Sequence, residues 1–263
     1  MSPRLLATDL DGTLLRSDGT VSERTREAVA AAERRGVTVL FVTARPPRWV
    51  DHLADVVGPH GIALCGNGAF VHDVAARQVV RTRAFSPSAL REVVRDLRAA
   101  LPGVTFAVEP ADGFVRDDAF LDPYAHEYEV GIVEDVLDVG KILARRPGTS
   151  SQEFMAQVRD VVGERAELGF SGSDGLAELT VAGVTKATAL ADWCAEHGFD
   201  SSQVWACGDM PNDLPMLAWA GRGIAVANAH PEVLAAADEV VGHHDASGFG
   251  STSSVLRSAA LPS

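Results

Sequence analysis

The segment Thr8-Asp9-Leu10-Asp11-Gly12-Thr13 sets two carboxylates two residues apart, directly behind the apolar run Leu5-Leu6-Ala7. Gly12 allows the backbone to leave such a run sharply. A second acidic turn, Cys207-Gly208-Asp209-Met210-Pro211-Asn212-Asp213, follows the apolar run Val204-Trp205-Ala206. Asp, Asn, Gly and Pro are ordinary turn residues, so either segment alone reads equally well as a strand-to-loop turn. Two such turns at matching positions point further. Ligands of open α/β sheets bind beyond the carboxyl ends of the strands, which is where both acidic pairs fall. Four clustered aspartates repel, and some must take up a proton unless a cation compensates them. All-oxygen ligation suits a hard divalent ion, and Mg²⁺ commonly takes one or two carboxylates together with substrate phosphate and water.

Two further residues stand at element ends. Thr43 follows the run Val37–Val42 and precedes Ala44-Arg45-Pro46. Alone it reads as a helix N-cap, although a hydroxyl and backbone N–H groups at a helix start also make an anion site. Lys186 opens a helical pattern, where a cation opposes the macrodipole. A bound phosphate would give it a local reason; an exposed lysine is the plainer reading.

The elements that must position these residues follow from the pattern. Leu5–Thr8, Val37–Val42 and Ile62–Cys65 read as strands, with a helix over Ser22–Arg35 capped by Ser22 and stopped by Gly36. Pro46 and Pro47 sit where a following helix would begin. The same alternation returns in a helix over Lys186–His197, closed by Gly198, and in strands at Val204–Cys207 and Gly223–Val226. Such alternation predicts a parallel sheet with helices on both faces. The middle differs. Helices are expected over Leu90–Ala100 and Gln152–Val162, and strands at Val104–Val108, Val139–Leu143, Ala166–Phe170 and Ala177–Val181. The last pair is joined by Ser171-Gly172-Ser173-Asp174-Gly175, which is hairpin chemistry. The expected architecture is therefore a doubly wound core carrying an α+β insertion over roughly 82–183, with Ser247–Ser254 as loop.

Composition limits the function classes. The chain has 263 residues, 23 basic and 36 acidic side chains, and a net charge of −13. That acidity argues against nucleic acid or an anionic membrane as partner. At 46% hydrophobic and 22% charged it can bury a core. No apolar stretch approaches the roughly 18 residues of a membrane span, and Leu5-Leu6-Ala7 is too short for a signal-peptide core. Cys65, Cys194 and Cys207 are odd in number and lack a CxxC, so neither a disulfide framework nor a thiolate zinc site is indicated. A soluble cytoplasmic protein is expected.

Taken in order, DxDGT after the first strand, Thr43 after the second, Lys186 at a later helix start and GDxxND after a late strand resemble the four motifs of the haloacid dehalogenase superfamily. The large insertion between Thr43 and Lys186 is similar to that of its Cof-type sugar-phosphatase branch, as are Asn67 in Gly66-Asn67-Gly68 and Asn228 in Ala227-Asn228-Ala229. The resemblance implies a Rossmann-like core over 1–81 and 184–263 and an inserted α+β cap domain over 82–183, hinged near Arg81–Phe85 and Ala182–Val184. It implies that Asp9 attacks phosphorus to form an aspartyl-phosphate, and that Asp11 is the general acid and then the base. It further implies that Mg²⁺ is held by the Asp9 carboxylate, the Asp11 backbone carbonyl and Asp209, with Asp213 supporting it through water. Thr43 and Lys186 would bind the phosphoryl oxygens with Asn212 nearby, and Arg45 and Asn67 complete the phosphate- and substrate-binding set. The branch's C-terminal Asp-Gly-Val stands here as Asp245-Ala246-Ser247-Gly248-Phe249, a departure that bears on the cap-facing rim.

The activity so implied is Mg²⁺-dependent hydrolysis of small phosphomonoesters, sugar phosphates foremost, by a monomer or weak homo-oligomer. A phosphomutase using the same Asp9, or a non-catalytic phosphate-ligand binding protein, are the alternatives. Asp11 disfavours the second, because binding alone needs no acid–base group. Elsewhere, His243-His244-Asp245 reads as an exposed polar loop, Trp193, Trp205 and Trp219 as core, and Arg77, Arg81 and Arg83 as a solvated patch able to attract anions.

Overall fold

The computed structural model describes residues 2–57, 60–121, 128–170 and 175–246. Five short apolar runs form the parallel centre of the first sheet: β1 (Leu5–Thr8), β2 (Thr38–Val42), β3 (Ile62–Cys65), β12 (Val204–Gly208) and β13 (Arg222–Val226). They are buried almost throughout, which is why they read as continuous apolar runs rather than alternating ones. The strand order is β14-β13-β12-β1-β2-β3-β4-β5, with β14 (Glu239–Val241) parallel at one edge. At the other edge β4 (Phe70–Asp73) and β5 (Gln78–Thr82) add an antiparallel hairpin that strand–helix alternation did not foresee. Its tight turn ends on Arg77 at φ 54°, and its outer strand is half-exposed, so neither a glycine nor an apolar run announces it.

Helix α1 (Glu23–Arg34) starts as expected: the Ser22 hydroxyl accepts from the Thr25 N–H at 3.1 Å, and Gly36 leaves at φ 79°. The segment at Pro46-Pro47 departs from expectation. It makes two short 3₁₀ turns, Pro47–Trp49 and Asp51–Leu53, instead of a helix. Burial of Val50, Leu53, Val56 and Val57 bends the chain, so tertiary packing overrides local propensity. The late helices are α4 (Lys186–Glu196), α5 (Leu214–Trp219) and α6 (Pro231–Ala236). Trp193 and Trp205 lie in the core and Trp219 packs against it; the three cysteines are buried free thiols.

The chain leaves the first sheet after Thr82 and returns after Val181. Between lie β6 (Thr105–Pro110), β7 (Val115–Arg116), β8 (Glu129–Val130), β9 (Val139–Arg145), β10 (Ala166–Gly169) and β11 (Leu176–Val181), ordered β10-β11-β9-β6-β7-β8. One face carries α2 (Pro87–Ala100) and α3 (Ser151–Val162) over Phe106, Val108, Ile142, Ala144, Ala177 and Leu179. Strand periodicity sends the intervening residues Glu109, Lys141, Leu143, Leu176 and Glu178 to the opposite face, which looks toward the first sheet. β10 and β11 pair antiparallel as their sequences suggest; the turn residues 171–174 and the segment from Ser247 onward lie outside the described residues.

Arg81 and Arg83 are not a free anion-attracting patch. They pair with Glu196 and Asp192 of α4, so two of the three arginines are already neutralised where the chain crosses between sheets. The His243–Asp245 turn also docks. Asp245 accepts from the Ser17 N–H and Oγ at 2.8 Å each, and His244 Nδ1 lies 2.8 Å from the Leu15 carbonyl.

Candidate active site

Register brings the separated motifs to one rim. Thr8 of β1 lies beside Cys207 of β12 and Phe41 of β2, so Asp9, Asp209 and Thr43 all emerge just past the carboxyl ends of adjacent strands. The Asp9 N–H donates to the Cys207 carbonyl at 2.9 Å, continuing the ladder by one residue. Leu10–Leu14 then form a tight turn closed by the Leu15 N–H on the Leu10 carbonyl at 2.8 Å. Gly12 sits there at φ 75°, and a Cβ on it would fall 2.4 Å from Asp209 Oδ2. Thr13 donates to Asp209 Oδ1 at 2.8 Å. On the neighbouring loop, a Cβ on Gly208 would fall 2.6 Å from Asp213 Cβ. Asp213 Oδ2 accepts from the Asp209 and Met210 N–H groups at 3.0 Å each, which ties the acidic turn to itself.

Carboxylate oxygens of Asp9, Asp209 and Asp213 all lie within 4.8 Å of one another, and the three residues are buried. Lys186 answers part of that charge. Its ammonium, 2% exposed, donates to Asp9 Oδ1 at 2.6 Å and to Asp213 Oδ1 at 2.7 Å. Thr185 caps α4, and the glycine turn Gly66-Asn67-Gly68 packs so closely that a Cβ on Gly68 would fall 2.5 Å from the Thr185 carbonyl. The lysine at this helix start thus has two carboxylates facing it where sequence alone offered it none.

One ammonium does not balance three carboxylates. Burial, then Asp213 and Asp209, hold the Asp9 carboxyl well above the usual carboxylate range despite Lys186. Burial and the Asp213 charge push Asp209 up to about 6. Burial alone would lower the Lys186 ammonium, but Asp213 and Asp9 outweigh it and raise it. With one ammonium among three carboxylates this close together, a proton is retained unless a cation takes its place. A buried all-oxygen donor set with an excess of negative charge fits a hard divalent ion such as Mg²⁺.

The remaining candidates divide. The Asp11 carboxylate stands apart from the triad, exposed, gripped by Arg45 through two bonds of 2.7 and 2.6 Å. Thr43 is fully buried and its hydroxyl accepts from the Arg45 N–H at 3.1 Å, a local turn rather than the helix N-cap expected, since the 3₁₀ turn that follows is flanked by Pro46. Asn67, at φ 56°, accepts from Asn212 Nδ2 at 3.2 Å and donates to Glu178 of the second sheet at 2.7 Å. Lys141 of β9 donates to the Ala44 carbonyl at 2.8 Å, and Asn228 donates to the Gly12 carbonyl at 2.7 Å.

Between the sheets lies a cavity of about 590 Å³. The first sheet contributes Asp9, Asp11, Arg45, Arg48, Trp49, His52, Lys186 and Asn212; the second contributes Glu109, Tyr128, Lys141, Leu143, Leu176 and Glu178. Sequence reasoning missed the second group, together with Thr13, Arg48 and Trp49. Glu109, Lys141 and Glu178 occupy alternate positions of half-apolar strands, a pattern that reads as a solvent face; only the other sheet shows that the face is buried.

An acidic cluster at the carboxyl edge of a parallel α/β sheet, roofed by a second sheet across a ligand-sized cavity, defines a capped α/β enzyme. The chain belongs to the haloacid dehalogenase-like hydrolases, whose sequence model matches residues 6–251. The resemblance to the Cof-type branch drawn from the motifs holds. The chain is 28% identical over 257 residues to the HMP-PP phosphatase of Enterobacter sp. (strain 638), covering 91% of this chain and 90% of the relative. It is 29% identical over 254 residues to the HMP-PP phosphatase of Escherichia coli O157:H7, covering 91% and 90%. Among solved structures, a phosphatase of the haloalkanoate (HAD) superfamily from Bacteroides thetaiotaomicron superposes with a TM-score of 0.82 at 23% identity, covering 98% of this chain and 95% of the other. A sugar phosphatase of HAD subclass IIB superposes with a TM-score of 0.81 at 20% identity, covering 96% and 98%. Among the described residues, no helix is long and apolar enough to cross a membrane.

Proposed function

We propose that this phosphatase hydrolyses small phosphomonoesters, sugar phosphates foremost, through an aspartyl-phosphate on Asp9, with Mg²⁺ as cofactor. The observation that carries the reading is the Asp9 carboxylate itself. It is buried beside Lys186, Asp209 and Asp213, yet it lines the same cavity as Asp11.

An Asp9 oxygen attacks phosphorus while the bond from phosphorus to the leaving oxygen breaks. Asp11 gives its proton to that oxygen. Asp11 then takes a proton from water as the water attacks phosphorus, the Asp9–phosphorus bond breaks, and inorganic phosphate leaves. Arg45 engages both Asp11 oxygens in this structure, so for either transfer one oxygen leaves the guanidinium and turns to the substrate. Lys186 favours the ionised form of Asp9 against the effect of burial and faces the phosphoryl oxygens, with Asn212 and Thr43 at the same rim. Asp9 and Asp209 would hold Mg²⁺, with the Asp11 carbonyl as a further ligand and Asp213 behind them. The ion supplies charge neutralisation for the phosphoryl oxygens.

In this reading residues 82–183 are a cap domain that sets specificity, and 1–81 with 184–263 are the catalytic core. The cavity lining, shared between the two sheets, supports that division. The partner is a small phosphorylated metabolite acted on by a monomer or weak homo-oligomer. Cytoplasmic residence is part of the proposal, in keeping with three buried free thiols.

Phosphate release from an aryl phosphate and a sugar-phosphate panel, with and without Mg²⁺, tests the reading. Turnover is expected to vanish with EDTA, return with Mg²⁺, and fall by at least about a thousandfold in Asp9→Asn. Retained activity in either case overturns it. Isomerised ester without free phosphate would identify a mutase instead.

A further inference from the structure

Three buried charges of the second sheet face the cavity: Glu109, Lys141 and Glu178. Two are committed to joining the sheets. Lys141 donates to the Ala44 carbonyl at 2.8 Å and approaches Glu109 Oε1 at 3.2 Å. Glu178 Oε2 accepts from Asn67 at 2.7 Å, and its Oε1 lies 3.8 Å from Lys141. Glu109 differs. It is 2% exposed, its Oε1 is held by Lys141, and its Oε2 has no hydrogen-bond partner.

A buried carboxylate oxygen without a donor carries a desolvation cost that native proteins seldom leave unmet. Glu109 pairs with Lys141 across the β6–β9 ladder, and its role as counter-ion to that buried ammonium occupies Oε1 and leaves Oε2 over. Glu109 is among the residues lining the cavity that also contains Asp9. A ligand reaching both must therefore present phosphorus at one end and a hydrogen-bond donor at the other.

We propose that Glu109 is a specificity-determining residue whose Oε2 accepts a hydrogen bond from a hydroxyl or amino group on the leaving group of the phosphate ester. Esters whose leaving group instead carries a carboxylate or a second phosphate at that point meet like charge and are rejected. The proposal rests on the phosphatase reading and narrows its substrate class to monoesters with a donor-bearing, uncharged or cationic leaving group.

Steady-state kinetics of Glu109→Leu and Glu109→Gln test it against three probes: phenyl phosphate, which carries no donor, the fastest of a set of hexose, pentose and amino-alcohol phosphates, and 3-phosphoglycerate. The ratio of kcat/KM for the donor-bearing ester to that for phenyl phosphate is expected to fall at least tenfold in both variants, through KM. Because the Gln carbonyl stays with Lys141, its amide N–H₂ replaces Oε2, and Glu109→Gln is expected to gain on 3-phosphoglycerate. A merely structural counter-ion to Lys141 would lower all three alike, and that result overturns the proposal, as does wild-type preference for 3-phosphoglycerate. The same ranking read as Kd by calorimetry in Asp9→Asn, alone and combined with each Glu109 variant, needs no turnover. Absence of phosphate release from every ester would thus defeat the phosphatase reading, while the binding ranking still decides the role of Glu109.

Discussion

The Lys186 ammonium lies 2.6 Å from Asp9 Oδ1, a partner 177 residues away along the chain, and 2.7 Å from Asp213 Oδ1. All three groups are buried, so the lysine is the internal counter-ion of the acidic cluster. Removing one member of a buried ionic set leaves uncompensated charge, at a cost of about 3–5 kcal/mol. Lys186→Ala is therefore expected to destabilise the metal-free protein by that order, read as a lower Tm, and to lower turnover by at least about a hundredfold. Added Mg²⁺ is expected to raise the Tm of the variant more than that of the wild type, because the emptied site is more negative. Equal Tm values for the two metal-free proteins would refute the counter-ion role.

In the proposed metal site, affinity and pH are linked through Asp209. Burial first, then the Asp213 charge, places its carboxyl at about 6 in the metal-free fold. A carboxyl raised by folding makes the metal-free protein lose stability as pH rises from the unfolded value toward 6, and the penalty is complete above it. A divalent ion must displace that proton, so binding weakens by about tenfold per pH unit below 6. The Mg²⁺-induced rise in Tm is expected to be large at pH 7.5 and small at pH 5. A rise independent of pH over that range would remove Asp209 from the ligand set.

Gly12 and Gly19 make a matched pair. Both have positive φ, 75° and 78°, but a Cβ on Gly12 meets Asp209 Oδ2 at 2.4 Å while one on Gly19 meets nothing within 4 Å. Gly19→Ala is expected to cost only the backbone term, about 1–2 kcal/mol. Gly12→Ala should add a displacement of Asp209, seen as at least a tenfold loss of apparent Mg²⁺ affinity in a titration of activity. Equal effects of the two substitutions would show that close approach to Asp209 is not what Gly12 provides.

Asp11 and Arg45 can be separated from the rest by leaving-group chemistry. An acid matters most when the departing oxygen is basic. Asp11→Asn is expected to lower kcat by about 100-fold or more on alkyl phosphates and far less on nitrophenyl phosphate. Arg45→Ala, which frees the Asp11 carboxylate from its two-point grip, should follow the same trend with a smaller loss. Equal losses on both ester types would place Asp11 outside proton transfer.

Much of the core was legible in the residues. The apolar runs of β1, β2, β3, β12 and β13 are continuous because those strands are covered on both faces, and turn-forming Asp and Gly mark where they end. Asp9, Asp11, Asp209 and Asp213 could be singled out because two acidic turns stand at matching positions behind buried strands, where either one alone reads as an ordinary turn. The β4–β5 hairpin and the irregular turns after Thr43 were not legible, since the apolar pairs Phe70-Val71 and Val79-Val80 are too short to announce strands and the turns are shaped by where Val50 and Leu53 must be buried.

By itself, then, the sequence determined which residue types end which strands, because burial periodicity and turn chemistry are local properties of a chain. Tertiary structure alone decided who faces whom. It paired Lys186 with Asp9 and Asp213, turned Asp11 toward Arg45, and left Glu109 with one unpaired oxygen. Those outcomes depend on two sheets meeting across a cavity, and alternating strand residues look the same whether the face they form meets water or another part of the protein.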